Sequence, residues 1–286
     1  MRPGARRRTI LLIAGIAAFL TIGLTAGAIA GGHLSLRATT PPAAGRGPAA
    51  LATDFVRVES KLHASVGIVI SPIGGKHAPI TLGEWRSGPA WSTIKVPLVI
   101  AGARESNPPA ISAAMDAAIT RSDNAAAESI WAGLGDPVTA AHRVEAVLRS
   151  TGDPTIVQSQ KVRPEFTAFG QTDWPLTDQV AFTSAAYCDG RNAPVFDLMG
   201  HIEADQRWGI GTVAGARFKG GWGPSPTGSY LVRQIGVVPA PHGMVAVALA
   251  AQPASGDFDD GTADLTELAK WLSAHLGALP AGQCAR

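Results

Sequence analysis

Ser92 and Lys95, in the run Trp91-Ser92-Thr93-Ile94-Lys95-Val96-Pro97-Leu98, could supply a nucleophile and its base from one rigid element. If a helix starts at Ser92, Lys95 lies three residues on along the same face, within reach of the hydroxyl. The helix N-terminus adds a positive field that favours a developing alkoxide. Lys95 can act as a base at neutral pH only after losing its proton, which burial or a neighbouring cation promotes. Taken alone, Ser-x-x-Lys turns up roughly once by chance in a chain of this length. It then describes a serine that caps a helix and a solvated lysine in the first turn. Two further motifs follow in order, Ser122-Asp123-Asn124 and Lys219-Gly220-Gly221. The three together read as a serine acyl-transfer site.

These motifs need elements to hold them. Phe55, Val58 and Leu62 recur at helical spacing, and Val66-Gly67-Ile68-Val69-Ile70 is short and β-branched, as a buried strand should be. Residues 80–85 (ITLGEW) return as its hairpin partner. Alanine-rich helices are predicted over 109–120, 125–132, 137–150 and 175–187, separated by Gly, Pro and Asp. Strand patterns return at 217–219, 230–238 and 244–251, and Leu265, Leu268, Leu272 and Leu276 form one stripe of a last helix. The expected fold is α/β (α+β), an antiparallel sheet built from the N- and C-terminal segments and flanked by helices, with a reduced helical subdomain. There is no internal repeat.

The three motifs in this order, with their flanks, resemble the class A β-lactamases and penicillin-binding proteins. Residues 125–136 (AAAESIWAGLGD) and 144–153 (VEAVLRSTGD) are similar to the class A succession of helix, Gly turn, helix and Gly-Asp, so the resemblance runs from about Val66 to Ala251. It implies an active site in the cleft between sheet and helices, with acylation on Ser92 and Lys95 as base. Ser122 would relay a proton to the leaving group, Asn124 would hold the substrate amide and the active lysine, and Asp123 would brace the loop. Lys219 and Arg233 would recognise a substrate carboxylate, Gly221 would let an extended substrate approach, and backbone N–H groups at Ser92 and near Trp222 would form the oxyanion hole. The implied substrate is a small-molecule β-lactam or a peptidoglycan stem peptide, and the implied partner set is otherwise empty: a monomer without a cofactor.

Three departures from that pattern bear on the substrate. Gly220 stands where family members carry Thr or Ser, which removes one hydrogen bond to the carboxylate, worth on the order of 1 kcal/mol. Ser92 and Ser122 are only 30 residues apart, so helices that wall the cleft in familiar class A enzymes must be missing and an unusually open pocket is expected. Arg163-Pro164-Glu165 echoes the family's Arg-x-Glu, which makes Glu165 a candidate base for deacylation, with Asp173 as a partner for Arg163. Phe169, however, replaces the family's asparagine four residues past the glutamate. A catalytically inactive protein of the same fold that binds cell-wall peptide is the alternative to an enzyme.

Arg2, Arg6, Arg7 and Arg8 precede an uncharged, mostly apolar run over 9–32. Residues 1–32 therefore read as a signal peptide, with Ala28-Ile29-Ala30 as a cleavage pattern, or as an uncleaved membrane anchor. Either places the rest of the chain outside the cytoplasm. Residues 33–52 read as a Pro/Ala/Gly-rich linker and 53–286 as one domain. The formal charge of +2 becomes −2 without the four leader arginines, which argues against nucleic acid as a partner. Cys188 and Cys284 are the two cysteines; in an exported chain they form one disulfide or remain as two thiols. Seven scattered histidines without metal spacing predict no metal site. Gly209-Ile210-Gly211-Thr212 only loosely matches a dinucleotide loop, because no buried strand precedes it.

Overall fold

The computed structural model describes residues 47–74 and 78–285. The leader 1–32 and most of the stretch read as a linker lie outside the described residues. Within them, five strands form one antiparallel sheet: β1 (Ala64–Pro72), β2 (Ile80–Gly83), β3 (Arg217–Pro224), β4 (Tyr230–Ala240) and β5 (Gly243–Pro253), in the order β2-β1-β5-β4-β3. β1 from the N-terminal part pairs with β5 from the C-terminal part, Val66 opposite Ala251 and Ile70 opposite Val247. β1, β4 and β5 carry nearly unbroken buried runs rather than alternation, because helices cover both faces of the sheet.

One face carries α1 (Pro48–Glu59) and α8 (Phe258–His275), joined by an edge-to-face contact of Phe55 and Trp271 at 5.3 Å. The other face carries the helical part: α2 (Lys95–Ala103), α3 (Ala113–Thr120), α4 (Asn124–Gly133), α5 (Pro137–Arg149), α6 (Leu176–Cys188) and α7 (Ala193–Leu198). α2 is buried almost all round, as its composition KVPLVIAGA demands, and forms the axis against which α3, α4 and α5 pack. Pro97 lies in its first turn, where the missing N–H costs nothing.

Three local boundaries differ from the sequence reading. α1 begins at Pro48, inside the stretch read as linker, because Leu51 extends the Phe55 stripe by one turn and is itself buried. The helix expected over 109–120 starts at Ala113, where the Ser112 hydroxyl accepts from the Met115 N–H at 3.3 Å. No α-helix starts at Ser92; a 3-10 turn, Trp91–Ile94, comes first and α2 takes over at Lys95.

Cys188, at the end of α6, is joined to Cys284, with the Cα atoms 5.2 Å apart. The bridge closes a loop spanning 96 positions and ties the C-terminal tail to the helical face of the sheet. In the chain-entropy account such a loop stabilises by up to about 4–5 kcal/mol. Replacing both cysteines by alanine is expected to lower the denaturant midpoint accordingly, and two reactive thiols in the unreduced protein would contradict the bridge. Among the described residues no helix is long and apolar enough to cross a membrane.

Candidate active site

Ser92 sits half-buried in the 3-10 turn between the segment 86–90 and α2. The turn is pinned on both sides. The Ala90 N–H donates to Thr172 O at 2.7 Å, Thr93 Oγ1 donates to Ala90 O at 2.6 Å, and Gln179 Nε2 from α6 donates to Thr93 Oγ1 at 3.0 Å. Trp91, immediately before the serine, has φ +48°, a conformation that costs a large side chain on the order of 1–2 kcal/mol. Ser122 has φ +58°; among the described residues these are the non-glycine positions in the left-handed region, and both belong to this site.

Lys95 is 1% exposed. Its Nζ donates to Ser122 O at 2.5 Å and to Asn124 Oδ1 at 2.7 Å, and it makes no hydrogen bond to Ser92 Oγ. Burial brings the Lys95 ammonium down to about 7 against the opposing pull of Asp123. Asp123 caps α4 through Ala126 N at 2.8 Å, and that bond holds its carboxyl below the usual range. Lys219 approaches Ser122 from the opposite side: its Nζ donates to Ser122 Oγ at 2.8 Å and to Gly220 O at 2.9 Å. Burial, and then the charge of Lys95, press it well below the ordinary lysine range. Ser122 is thus held between two lysines, its carbonyl on one and its hydroxyl on the other.

β3 is the edge strand facing this turn. Its Phe218 N–H leaves the ladder to reach Met199 O at 3.0 Å, and alternation along the strand puts the Gly220 and Trp222 N–H groups on the same open edge. A Cβ on Gly221 would lie 2.8 Å from both Ser92 N and Ala90 O, so only glycine lets the strand pass this close to the nucleophile. The Trp222 N–H beside it is therefore available, with that of Ser92, to an oxyanion. On the opposite face, a Cβ on Gly220 would lie 3.0 Å from the Trp208 indole. Trp208 is held there by Gln234 Nε2, which donates to its carbonyl at 2.8 Å, and packs edge-on against Trp222 at 5.9 Å. The Gly209 loop is part of this anchor, with Gln234 Oε1 accepting from Ile210 N at 2.7 Å.

Two residues assigned to the cleft from the sequence do not stand in it. Arg233 is fully buried: Nη1 donates to Gly88 O at 2.7 Å and Pro89 O at 2.9 Å, Nη2 donates to Trp174 O at 2.7 Å, and the guanidinium lies 5.0 Å from the Trp85 ring. Burial lowers it to about 9, with Asp173 opposing. It clamps the segment leading into Ser92 to the sheet and has no access to a substrate carboxylate. Glu165 is turned outward, its side chain 56% exposed and paired with Arg163 at 3.0 Å; a local backbone hydrogen bond, and then Arg163, hold its carboxyl below the ordinary range. Asp173 accepts from Ser87 Oγ at 2.8 Å and does not pair with Arg163.

Ser92 opens into a cavity of about 190 Å³ lined by Trp91, Asn124, Phe166, Thr167, Trp222 and Tyr230, with Gly223 and Pro224 along β3. Trp91, Phe166, Trp222 and Tyr230 give it aromatic walls. Phe166 packs edge-on against Trp91 at 5.0 Å, so the loop presents a phenyl ring where the sequence places a carboxylate next to it. Neither Phe166 nor Tyr230 was legible as a site residue; both are single aromatics whose only sequence signal is nearness to Glu165 or to the start of β4.

The TLA-1 extended-spectrum β-lactamase superposes with a TM-score of 0.65 at 15% identity, covering 80% of this chain and 99% of that one. The chain has the class A β-lactamase fold. A class A β-lactamase from Mycobacterium abscessus matches with a TM-score of 0.62 at 15% identity over 79% of this chain and 99% of that one, and an ancestral (GNCA) class A enzyme with 0.60 at 18% over 78% and 99%. No protein-family model and no curated protein matches the sequence.

Proposed function

We propose that this protein is an exported serine acyl-transferase or hydrolase that forms an acyl-enzyme on Ser92. The observation that carries the reading is Lys95: a fully buried amine, brought down to about 7, held by Ser122 and Asn124 one helical turn from Ser92. In its neutral form it accepts the proton of Ser92 Oγ as that oxygen attacks the acyl carbon. The Ser92 and Trp222 N–H groups stabilise the oxyanion. Ser122, its hydroxyl ordered by Lys219, passes a proton to the leaving atom as the acyl bond breaks. The substrate class is a β-lactam, which the β-lactamase neighbours support, or a cell-wall stem peptide. The apolar leader and the disulfide support export, as a secreted or membrane-anchored protein.

One observation favours a second reading, a protein that captures its ligand without turnover: among the described residues no carboxylate lines the Ser92 cavity to activate a water. Intact-mass measurement of the soluble part after incubation with a reactive penicillin tests the main reading. The expected result is one covalent adduct, mapped to Ser92 and absent in Ser92→Ala. An adduct on another residue, or unchanged labelling of the alanine variant, would refute it.

A further inference from the structure

Arg233 is the register partner of Gly221, so one rung of the β3–β4 ladder meets the nucleophile turn twice. Gly221 passes beside Ser92 N and Ala90 O, and Arg233 reaches the two residues that precede them. Its Nη1 donates to Gly88 O at 2.7 Å and Pro89 O at 2.9 Å, and its Nη2 donates to Trp174 O at 2.7 Å. These carbonyls belong to two extended segments that pair with each other: the Trp174 N–H donates to Gly88 O at 3.0 Å and the Ala90 N–H to Thr172 O at 2.7 Å. One guanidinium therefore ties both segments to β4. The first runs directly into Trp91 and Ser92, and the second follows the loop that carries Phe166.

Two costly features meet here. Arg233 is fully buried and its hydrogen-bond partners are carbonyls, so a cation is taken from water without a carboxylate against it. Trp91 holds φ +48°, a conformation that persists only where the surroundings over-determine it. With Gly88 O and Pro89 O held by Arg233, and Ala90 held by Thr172 and Thr93, the chain enters Trp91 without freedom to relax to a negative φ. The peptide that would turn on relaxation is the one that carries the Ser92 N–H. We propose, resting on the acylation of Ser92 described above, that Arg233 is a positioning residue for that reaction: through Gly88 and Pro89 it keeps Trp91 strained and so fixes the Ser92 N–H and Oγ in the geometry of attack. It touches no substrate. A lysine, a point charge on a flexible stem, cannot fork over three carbonyls, so the planar shape of the guanidinium rather than its charge sets the position.

Arg233→Lys and Arg233→Met, with their folds verified by circular dichroism, are compared with the natural chain in quenched intact-mass kinetics of acylation by benzylpenicillin. Both variants are expected to show a limiting acylation rate lower by roughly 100-fold, the loss that a small misplacement of reacting groups produces. The half-saturating concentration should change little, and the limb near pH 7 that belongs to Lys95 should remain on the lowered plateau. A rise in half-saturation as large as the fall in rate would mark a general loosening and overturn the proposal. Full rate in Arg233→Lys would assign the role to charge and overturn positioning by the fork; full rate in both variants, with the natural chain acylated at Ser92, would overturn the clamp alone. A natural chain that is not acylated at Ser92 would overturn the acylation reading and this proposal with it. Should neither variant fold, hydrogen exchange on the natural chain supplies the test. The Ala90 and Trp174 amides are expected to exchange as slowly as those of β5, and fast exchange there would show that the segment is not held and overturn the proposal.

Discussion

Lys95→Met is expected to acylate Ser92 about 10²–10⁴-fold more slowly than the natural chain, the range over which a positioned general base contributes. Methionine keeps the buried length of the side chain and removes the proton acceptor, so packing of α2 is disturbed little while the chemistry is lost. The pH profile carries the sharper signature. Lys95 must be neutral to take the proton from Ser92, and burial brings its amine to about 7. The acylation rate should therefore be level above that pH and fall about tenfold for each unit below it. In Lys95→Met that limb should vanish along with most of the rate. Stopped-flow or quenched intact-mass kinetics with a reactive β-lactam would show both effects. An acylation rate that is flat through pH 7 in the natural chain would remove Lys95 from the role of base, whatever the variant does.

Release of the acyl group is expected to be slow, over minutes or longer, because hydrolysis of the ester needs a base that holds water against it. The cavity offers Thr167 and Asn124 as polar neighbours but no carboxylate, and Glu165 points to solvent with Arg163. Glu165→Gln should thus leave the lifetime of the adduct little changed. The measurement is the decay of the Ser92 adduct by mass after excess ligand is removed, in parallel with turnover of a chromogenic cephalosporin. Sustained multiple turnover that disappears in Glu165→Gln while Ser92 still acylates would require the loop to swing its carboxylate inward and would make this a hydrolysing enzyme.

These two expectations draw on parts of the molecule that were unequally readable. Ser92 and Lys95 could be paired from the sequence because three residues along a helical turn fix their relative position whatever surrounds them. The strands were legible for the same local reason: β1, β4 and β5 are short β-branched or alanine-rich runs with no competing helical period. Ser122, Asn124 and Lys219 followed from motif order, and the structure brings Ser122 and Asn124 to Lys95 and Lys219 to Ser122.

Arg233, Glu165 and Gly220 could not be resolved that way. The Arg233 side chain is on the same face of the sheet as Gly221, its partner in the register, and nothing local told whether it would emerge in the cleft or be consumed by the carbonyls beneath it. That depended on the path of the segment 86–90, fixed in turn by Trp174 and the sheet. Glu165 precedes Phe166 in a loop whose orientation is set by Arg163, which reaches back to both Glu165 and Pro224 O on β3. Gly220 looks like a lost hydroxyl in the sequence and proves to be the seat of an indole brought from position 208 by Gln234. Local periodicity thus determined the elements and the nearness of Ser92 to Lys95, since these depend on neighbours a few residues away. The charge and shape of the cavity were decided only by tertiary packing, because each of its walls is held by a contact between segments far apart in the chain.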